Sequence, residues 1–157
     1  MRRHLFPLAL VIAAAAIAAD DPAGWSKSRW GMTDDEILQA FDGQAVRLAT
    51  PERNGARVSI PSVELAGTKF HVWFIPDKSG HLCSVVFTSI DPPSDSIAQS
   101  IEELLAAKYG HPWKTQATHT TDALWTIGTT VIRVTHTRLR GFQMLVLRYS
   151  VQSSDPI

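Results

Sequence analysis

Two stretches of the chain alternate apolar and polar residues over several strand lengths, and this alternation limits the fold more than any other feature. They span residues 63–90 and 121–151. Turn-forming sequences divide each stretch into three runs, at Ala66-Gly67 and 77–80 in the first and at Gly128-Thr129 and 138–141 in the second. Alternation with a period of two is typical of strands that bury one face. The pattern therefore predicts two antiparallel, three-stranded meanders.

A helix-forming segment precedes each meander. Thr33 and Glu36 have the spacing of a capping box, in which each side chain bonds the backbone N–H of the other residue. The second helix is capped by Ser94 or Ser96, ends at Gly110, and has apolar residues at three- and four-residue spacing: Ile97, Ile101, Leu104, Leu105 and Tyr109. The sequence thus predicts an α+β fold of two tandem α-β-β-β units, with antiparallel sheets and helices packed on one face.

The lengths of the turns predict which residues pair across the strands. A four-residue loop in each meander pairs Phe74 with Cys83 and Val134 with Leu145, which places apolar residues on one common face. A slip of one residue would turn every side chain to the other face, so this agreement supports the meanders. The pattern leaves open whether the six predicted strands form one sheet or two.

The first nineteen residues have the sequence of a secretory signal peptide. Arg2 and Arg3 precede an apolar run over residues 5–15, and cleavage is predicted after Ala18 or Ala19. The run is shorter than the roughly twenty residues that a membrane-spanning helix needs. We therefore predict a periplasmic or secreted protein with no stable membrane insertion after cleavage. The alternative is an uncleaved N-terminal anchor.

The predicted division of the chain is a signal peptide at 1–19, a leader at 20–30, a single α+β domain at 31–151 built from two repeats (31–91 and 94–151), and a tail at 152–157. Cleavage removes two basic residues from a chain with 15 basic and 15 acidic residues, which leaves a net charge of about −2. This charge gives no strong field to attract nucleic acid. Cys83 is the only cysteine, so an intramolecular disulfide is excluded, and its apolar strand predicts a buried thiol.

Four short motifs, in their order, resemble a broad group of uncharacterised exported bacterial proteins. They are Trp30-Gly31-Met32-Thr33, Leu65-Ala66-Gly67, Gly80-His81-Leu82 and Tyr109-Gly110-His111-Pro112. The layout over about residues 30–150 is also similar to the small outer-membrane lipoproteins of the SmpA/BamE type and to the β-lactamase inhibitor proteins. This resemblance implies an antiparallel sheet covered by helices and a role in binding protein partners. It carries over no binding residue by position.

Motifs for catalysis and metal binding are missing from the sequence. It contains no His-Glu-x-x-His, paired-cysteine or Gly-x-Ser-x-Gly motif and no glycine-rich phosphate loop. The acidic run at 34–36 is explained by helix capping. We predict no enzyme activity and no cofactor. The alternatives are a small-ligand-binding periplasmic protein, with a pocket between sheet and helices or under residues 44–57, and a small hydrolase or metal enzyme.

The sheet face that points away from the predicted helices is the candidate binding surface. Its pattern is apolar, aromatic and arginine-containing, whereas a solvated face alternates more cleanly to polar residues. The predicted partner-binding residues are His71, Trp73, Ile75, Arg133, Met144, Val146 and Arg148. The predicted pairing makes Arg133 and Arg148 diagonal neighbours that can meet an acidic partner.

We therefore predict a non-catalytic protein-binding module that acts on another envelope or secreted protein. The identity of the partner and the oligomeric state stay open. The alternative is that the second sheet, the leader or residues 44–57 cover this face as ordinary core.

Overall fold

The computed structural model of the protein describes residues 19–152. The predicted signal peptide, apart from Ala19, and the predicted tail beyond Gln152 lie outside these residues. The described chain contains two helices and eight strands: α1 Asp34–Ala40, β1 Val46–Arg47, β2 Val58–Leu65, β3 Thr68–Pro76, β4 Leu82–Ser89, α2 Asp95–Tyr109, β5 Trp113–Gln116, β6 Thr120–Ile127, β7 Thr130–Leu139 and β8 Phe142–Val151.

All eight strands join in one antiparallel sheet, in the order β1-β2-β3-β4-β8-β7-β6-β5. Strands β4 and β8 connect its two halves, and Val86 lies opposite Arg148 at this junction. Each helix is followed along the chain by four strands rather than three, and all eight strands share one sheet, so the prediction of two tandem α-β-β-β units is wrong. Strands β1 and β5, which the alternation does not reveal, form the two edges of the sheet. They are too short to show a period of two.

The pairing of β3 with β4 differs from the prediction by two residues. Phe74 lies opposite Val85 rather than Cys83. The turn contains five residues, 77–81, and Cys83 is then an extra residue in a β-bulge. The bulge also turns Leu82 into the core, where it is 2% exposed, although the regular pattern places Leu82 on the opposite face.

The pairing of β7 with β8 shows a second slip of two residues. Val134 lies opposite Leu147 rather than Leu145, because β7 runs two residues further than predicted. The turn shrinks to Arg140-Gly141, where Gly141 adopts a φ of 78° that favours glycine. Both slips change the partner of each residue, and outside the bulge at residues 82–83 they keep its face, since side chains alternate with a period of two.

The predicted helix caps are confirmed. The Thr33 N–H donates to Glu36 Oε2 at 2.7 Å, and the Glu36 N–H donates to Thr33 Oγ1 at 3.4 Å. Ser94 caps α2 by accepting from the Ile97 N–H, and Gly110 follows the last turn of that helix. Neither α1 nor α2 has the length and apolar character that crossing a bilayer requires, and the described residues contain no other helix.

The hydrophobic core lies between the two helices and one face of the sheet. Ile37 of α1 and Ile101 of α2 belong to the same buried cluster. Trp125 is 3% exposed and lies opposite Ile132, which confirms the predicted position and pairing of this tryptophan. The largest fully buried sheet side chains in this cluster are Phe70, Phe74, Phe87, Ile132 and Leu145. Both helices therefore cover the same side of the sheet.

The leader, residues 20–30, also packs on the covered side. The ring of Trp25 stacks on that of Phe41, with centroids 5.6 Å apart. Trp30 Nε1 donates to Thr130 Oγ1 at 3.0 Å. The leader therefore completes the core on the same side of the sheet as α1 and α2.

The start of the leader is bound to the turn between β6 and β7 through Asp21. Its carboxylate accepts bonds from the Thr129 hydroxyl and the Thr129 N–H, both at 2.6 Å, and from the Thr130 hydroxyl at 2.7 Å. These bonds, the Thr129 hydroxyl first, hold the pKa of Asp21 well below its ordinary value of 3.8. Because folding lowers this pKa, the contact stabilises the fold above pH 3.8 and loses its contribution as the pH falls further. A Cβ on Gly128 would lie 2.6 Å from the same carboxylate, so glycine is needed there.

Candidate binding face

The open face is the side of the sheet opposite the helices and the leader. One line of cross-strand partners, which we call the central row, crosses all eight strands on this side. From β1 to β5 it consists of Val46, Ser59, Trp73, Val86, Arg148, Arg133, Leu124 and Trp113. At a spacing of roughly 4.8 Å per strand, the row is about 34 Å long.

The structure places all seven predicted binding residues on the open face. Trp73 and Val146 keep part of their surface exposed, so the face is not sealed at these two residues, although Ser59 Oγ and His71 Nε2 beside Trp73 are buried. Ser59 and Val86 are 1% and 6% exposed, and Trp73 lies between them in the row. Trp73, Arg133 and Arg148 lie in the central row, and His71 and Val146 lie in the adjacent row. Ile75 lies one row beyond the central row on its other side, and Met144 lies one row beyond His71 and Val146.

Arg133 and Arg148 lie directly opposite each other rather than diagonally, because of the slip between β7 and β8. Directly opposed residues have Cβ atoms roughly 4.5–5.5 Å apart, and like charges at that separation are destabilising. Their neighbours in the row, Val86 and Leu124, are apolar. Within residues 19–152, neither arginine takes part in an ion pair. The middle of the open face therefore carries two adjacent positive charges.

A shallow groove of about 400 Å³ surrounds the two arginines. Three consecutive cross-strand pairs of β7 and β8 line it: Val131 with Ser150, Arg133 with Arg148, and Thr135 with Val146. Asp122 lies opposite Thr135, one cross-strand pair along from Arg133, and its Oδ1 already accepts a bond from the Thr135 hydroxyl. The groove thus combines guanidinium donors with apolar walls.

His71 and Trp73 form an aromatic pair on β3. Their rings are stacked with centroids 3.8 Å apart and an angle of 6° between the planes. Burial lowers the pKa of His71 below its ordinary 6.5, although the Glu52 carboxylate opposes this shift. Burial thus favours the neutral form of the His71 imidazole. The two stacked rings form an aromatic pair on the face, with Trp73 two strands from Arg148.

Trp113 is a part of the open face that the sequence does not reveal. It is the last residue of the central row and is 72% exposed. Because β5 has only four residues and follows Pro112, it shows no alternation and looks like a loop. The available clue is a large aromatic residue in a polar segment. Its exposure adds a second tryptophan to the face, on the opposite side of the arginines from Trp73.

A second groove, of about 490 Å³, lies between α2 and strands β5 to β7. Four of its charged side chains form ion pairs, Lys114 with Glu102 and Arg138 with Asp95 at 3.3 Å. His136 is 4% exposed in its wall. A charged ligand would have to displace these ion pairs, so the groove is a weaker candidate binding site than the open face. Small-ligand binding stays a prediction.

Cys83 is half-buried, and burial and then the Asp77 carboxylate raise the pKa of its thiol. This environment disfavours the reactive thiolate. No set of three or more His, Cys, Asp and Glu residues with metal-binding geometry occurs in the part of the chain that the structure describes. The predicted lack of enzyme activity and of a cofactor stays a prediction.

Comparisons with protein-family models, with curated proteins and with solved structures give no match for this chain. The resemblance to SmpA/BamE-type lipoproteins and to β-lactamase inhibitor proteins therefore stays a prediction. The assignment of the open face rests on its own geometry and chemistry.

Proposed function

We propose that the chain is an exported, non-catalytic protein-binding module, and that it presents the open face of its sheet to another envelope or secreted protein. The observation that carries this proposal is the central row. It crosses the whole sheet, and it combines two tryptophans, two arginines and three aliphatic residues on the side opposite α1 and α2.

The composition of the open face supports this proposal. Aromatic residues, methionine and arginine are enriched in protein interfaces, and lysine and glutamate are depleted. Trp73, Met144 and Arg148 are of the enriched types. A contiguous surface that mixes apolar groups with unpaired charge is more typical of an interaction site than of a solvated sheet.

The shape of this face also favours a macromolecular partner over a small ligand. A small-molecule site is concave and encloses most of its ligand. The open face is broad, and its groove between β7 and β8 is shallow, at about 400 Å³. A row of about 34 Å matches the extent of a standard protein interface.

A pair of matched variants tests the proposal. Val146→Glu places a charge on the open face, and Leu104→Glu places the same charge on α2, where Leu104 is 63% exposed. Each immobilised variant is incubated with the envelope and secreted fractions of the source organism, and the captured proteins are quantified by mass spectrometry. We expect Val146→Glu to lose a partner that the native chain and Leu104→Glu both retain.

Unfolding curves for both variants show whether the fold is intact. We expect each substitution to change the free energy of unfolding by no more than about 1 kcal/mol, since neither side chain is fully buried. Equal capture by Val146→Glu and the native chain would contradict the proposal.

A further inference from the structure

We propose that Arg133 and Arg148 form a clamp for a single carboxylate, so that the partner presents an aspartate or glutamate side chain to the middle of the open face. This inference rests on the proposed function and adds the chemistry of the partner. It starts from the pairing of β7 with β8, which sets the two arginines directly opposite each other.

The position of the two arginines is unfavourable for the fold alone. Two guanidinium groups on directly opposed residues repel each other, and this destabilises an isolated sheet. The register leaves no freedom to separate their Cβ atoms, because the pairs on either side, Val131–Ser150 and Thr135–Val146, are also formed. Local features that conflict with stability are typical of functional sites.

Within residues 19–152 the fold provides counter-ions for some basic residues, and Arg133 and Arg148 are among those without one. Arg57 pairs with Asp34 at 2.8 Å, Lys114 with Glu102, and Arg138 with Asp95. For Arg133 and Arg148, the structure shows no ion pair across residues 19–152. An external anion is therefore the group that would relieve their repulsion.

The surroundings of the clamp favour a carboxylate on a protein. The middle of the central row reads Trp73, Val86, Arg148, Arg133, Leu124, Trp113, so an aliphatic residue and then a tryptophan follow each arginine. Each tryptophan is two strand spacings, roughly 10 Å, from the nearer arginine. A guanidinium fork matches the geometry of a carboxylate, and the apolar flanks match apolar residues around it.

Other occupants fit this surface less well. Nucleic acid and anionic membranes need an extended field of positive charge. The chain as a whole has equal numbers of acidic and basic residues. The residues that flank the clamp in the central row, Val86 and Trp73 on one side and Leu124 and Trp113 on the other, are uncharged. A second copy of the chain placed on a two-fold axis at the row would bring its arginines against these, since such an interface uses the same patch on both subunits. A partner with an acidic residue is the complementary choice.

The probe for the clamp is a pair of blocked tripeptides, acetyl-Leu-Glu-Leu-amide and acetyl-Leu-Gln-Leu-amide. They differ only in the charge of the central side chain. The mature chain is titrated with each peptide, and binding is followed by NMR at the Nε–Hε groups of the arginines. We expect the glutamate peptide to shift Arg133 and Arg148, and the glutamine peptide to bind at least about tenfold more weakly, as loss of a charge-assisted bond implies.

Two variants separate the clamp from general charge. Arg148→Thr removes half of the clamp, and Arg140→Thr removes an exposed arginine from the β7–β8 turn. We expect Arg148→Thr to lose the preference for the glutamate peptide and Arg140→Thr to keep it. We also expect Arg148→Thr to melt no lower than Arg140→Thr, with any gain shrinking in high salt, because it removes a repulsion.

Equal shifts by both peptides at the open face would overturn the clamp and leave the proposed function standing. Three other results would also overturn the clamp. The first is binding of inorganic phosphate, a DNA oligonucleotide or anionic vesicles at these arginines more tightly than the glutamate peptide. The others are self-association through this face and a strong loss of stability in Arg148→Thr. If neither peptide shifts the arginines, the clamp is wrong. If Val146→Glu then also retains its captured partner, the proposed function fails with it.

Discussion

Replacing Phe87 with Ala is expected to lower the free energy of unfolding by about 4 kcal/mol, the range for truncating a large buried aromatic side chain. Phe87 lies on β4, beside the junction with β8, and is fully buried. Its ring packs against Trp25 at 4.8 Å and Tyr149 at 6.2 Å, so the substitution leaves a cavity where both halves of the sheet meet the leader. Chemical denaturation of the native chain and the variant measures the difference.

Thr88→Ala is the matched control for this experiment. Thr88 is the next residue of β4 and lies on the open face, opposite His71 and Val146. We expect its truncation to change stability by less than about 1 kcal/mol. If Thr88→Ala were as destabilising as Phe87→Ala, the assignment of the covered and open faces would be wrong.

Replacing Trp25 with Ala is expected to lower the free energy of unfolding by about 3 kcal/mol, because the leader contributes a large aromatic side chain to the core. The Trp25 ring stacks on Phe41 and meets the edge of Phe87. Trp25 is half-buried, so the expected loss lies toward the lower end for such truncations. Thermal and urea unfolding of the two proteins provide the measurement.

Lys27→Ala serves as the control for Trp25→Ala, since Lys27 belongs to the same leader and is exposed. Its truncation is expected to leave the unfolding midpoint close to the native value. A native midpoint for Trp25→Ala would show instead that the leader does not pack against the sheet in solution.

The sequence predicted which face each strand residue occupies better than it predicted the partners of those residues. The alternation of Phe70, Val72 and Phe74 identifies the buried side of β3 without reference to any other strand. The pairing of β3 with β4 depends in addition on one extra turn residue and on the bulge at Cys83. Neither feature alters the alternation of the flanking strands, so both were missed.

Local sequence patterns could not predict that the two halves join into one sheet. The contact between β4 and β8 pairs residues such as Val86 and Arg148, which are far apart in the chain. No turn links these strands, so no loop length fixes their register. The capping box of α1 was predictable for the opposite reason, since Thr33 and Glu36 bond within one helical turn.

For the candidate binding face too, the sequence predicts the side of each residue but not its cross-strand partner. Its seven predicted residues share one side because alternation alone determines the side. The direct opposition of Arg133 and Arg148 follows from the length of the β7–β8 turn, which the sequence overestimated by two residues. The direct opposition of the two arginines, on which the carboxylate clamp depends, could therefore be identified only from the structure.

The most direct test of an uncovered sheet face is the reaction of single cysteines with a maleimide, in a chain where Cys83 is replaced with Ser. Val146→Cys places a thiol on the open face, and Leu147→Cys places one on the covered face, where Leu147 is 3% exposed. We expect the thiol at position 146 to react within about tenfold of the rate for Leu104→Cys on the surface, and the thiol at 147 to react only when the chain unfolds. Equal protection of the thiols at 146 and 147 would contradict the open face and both proposals built on it.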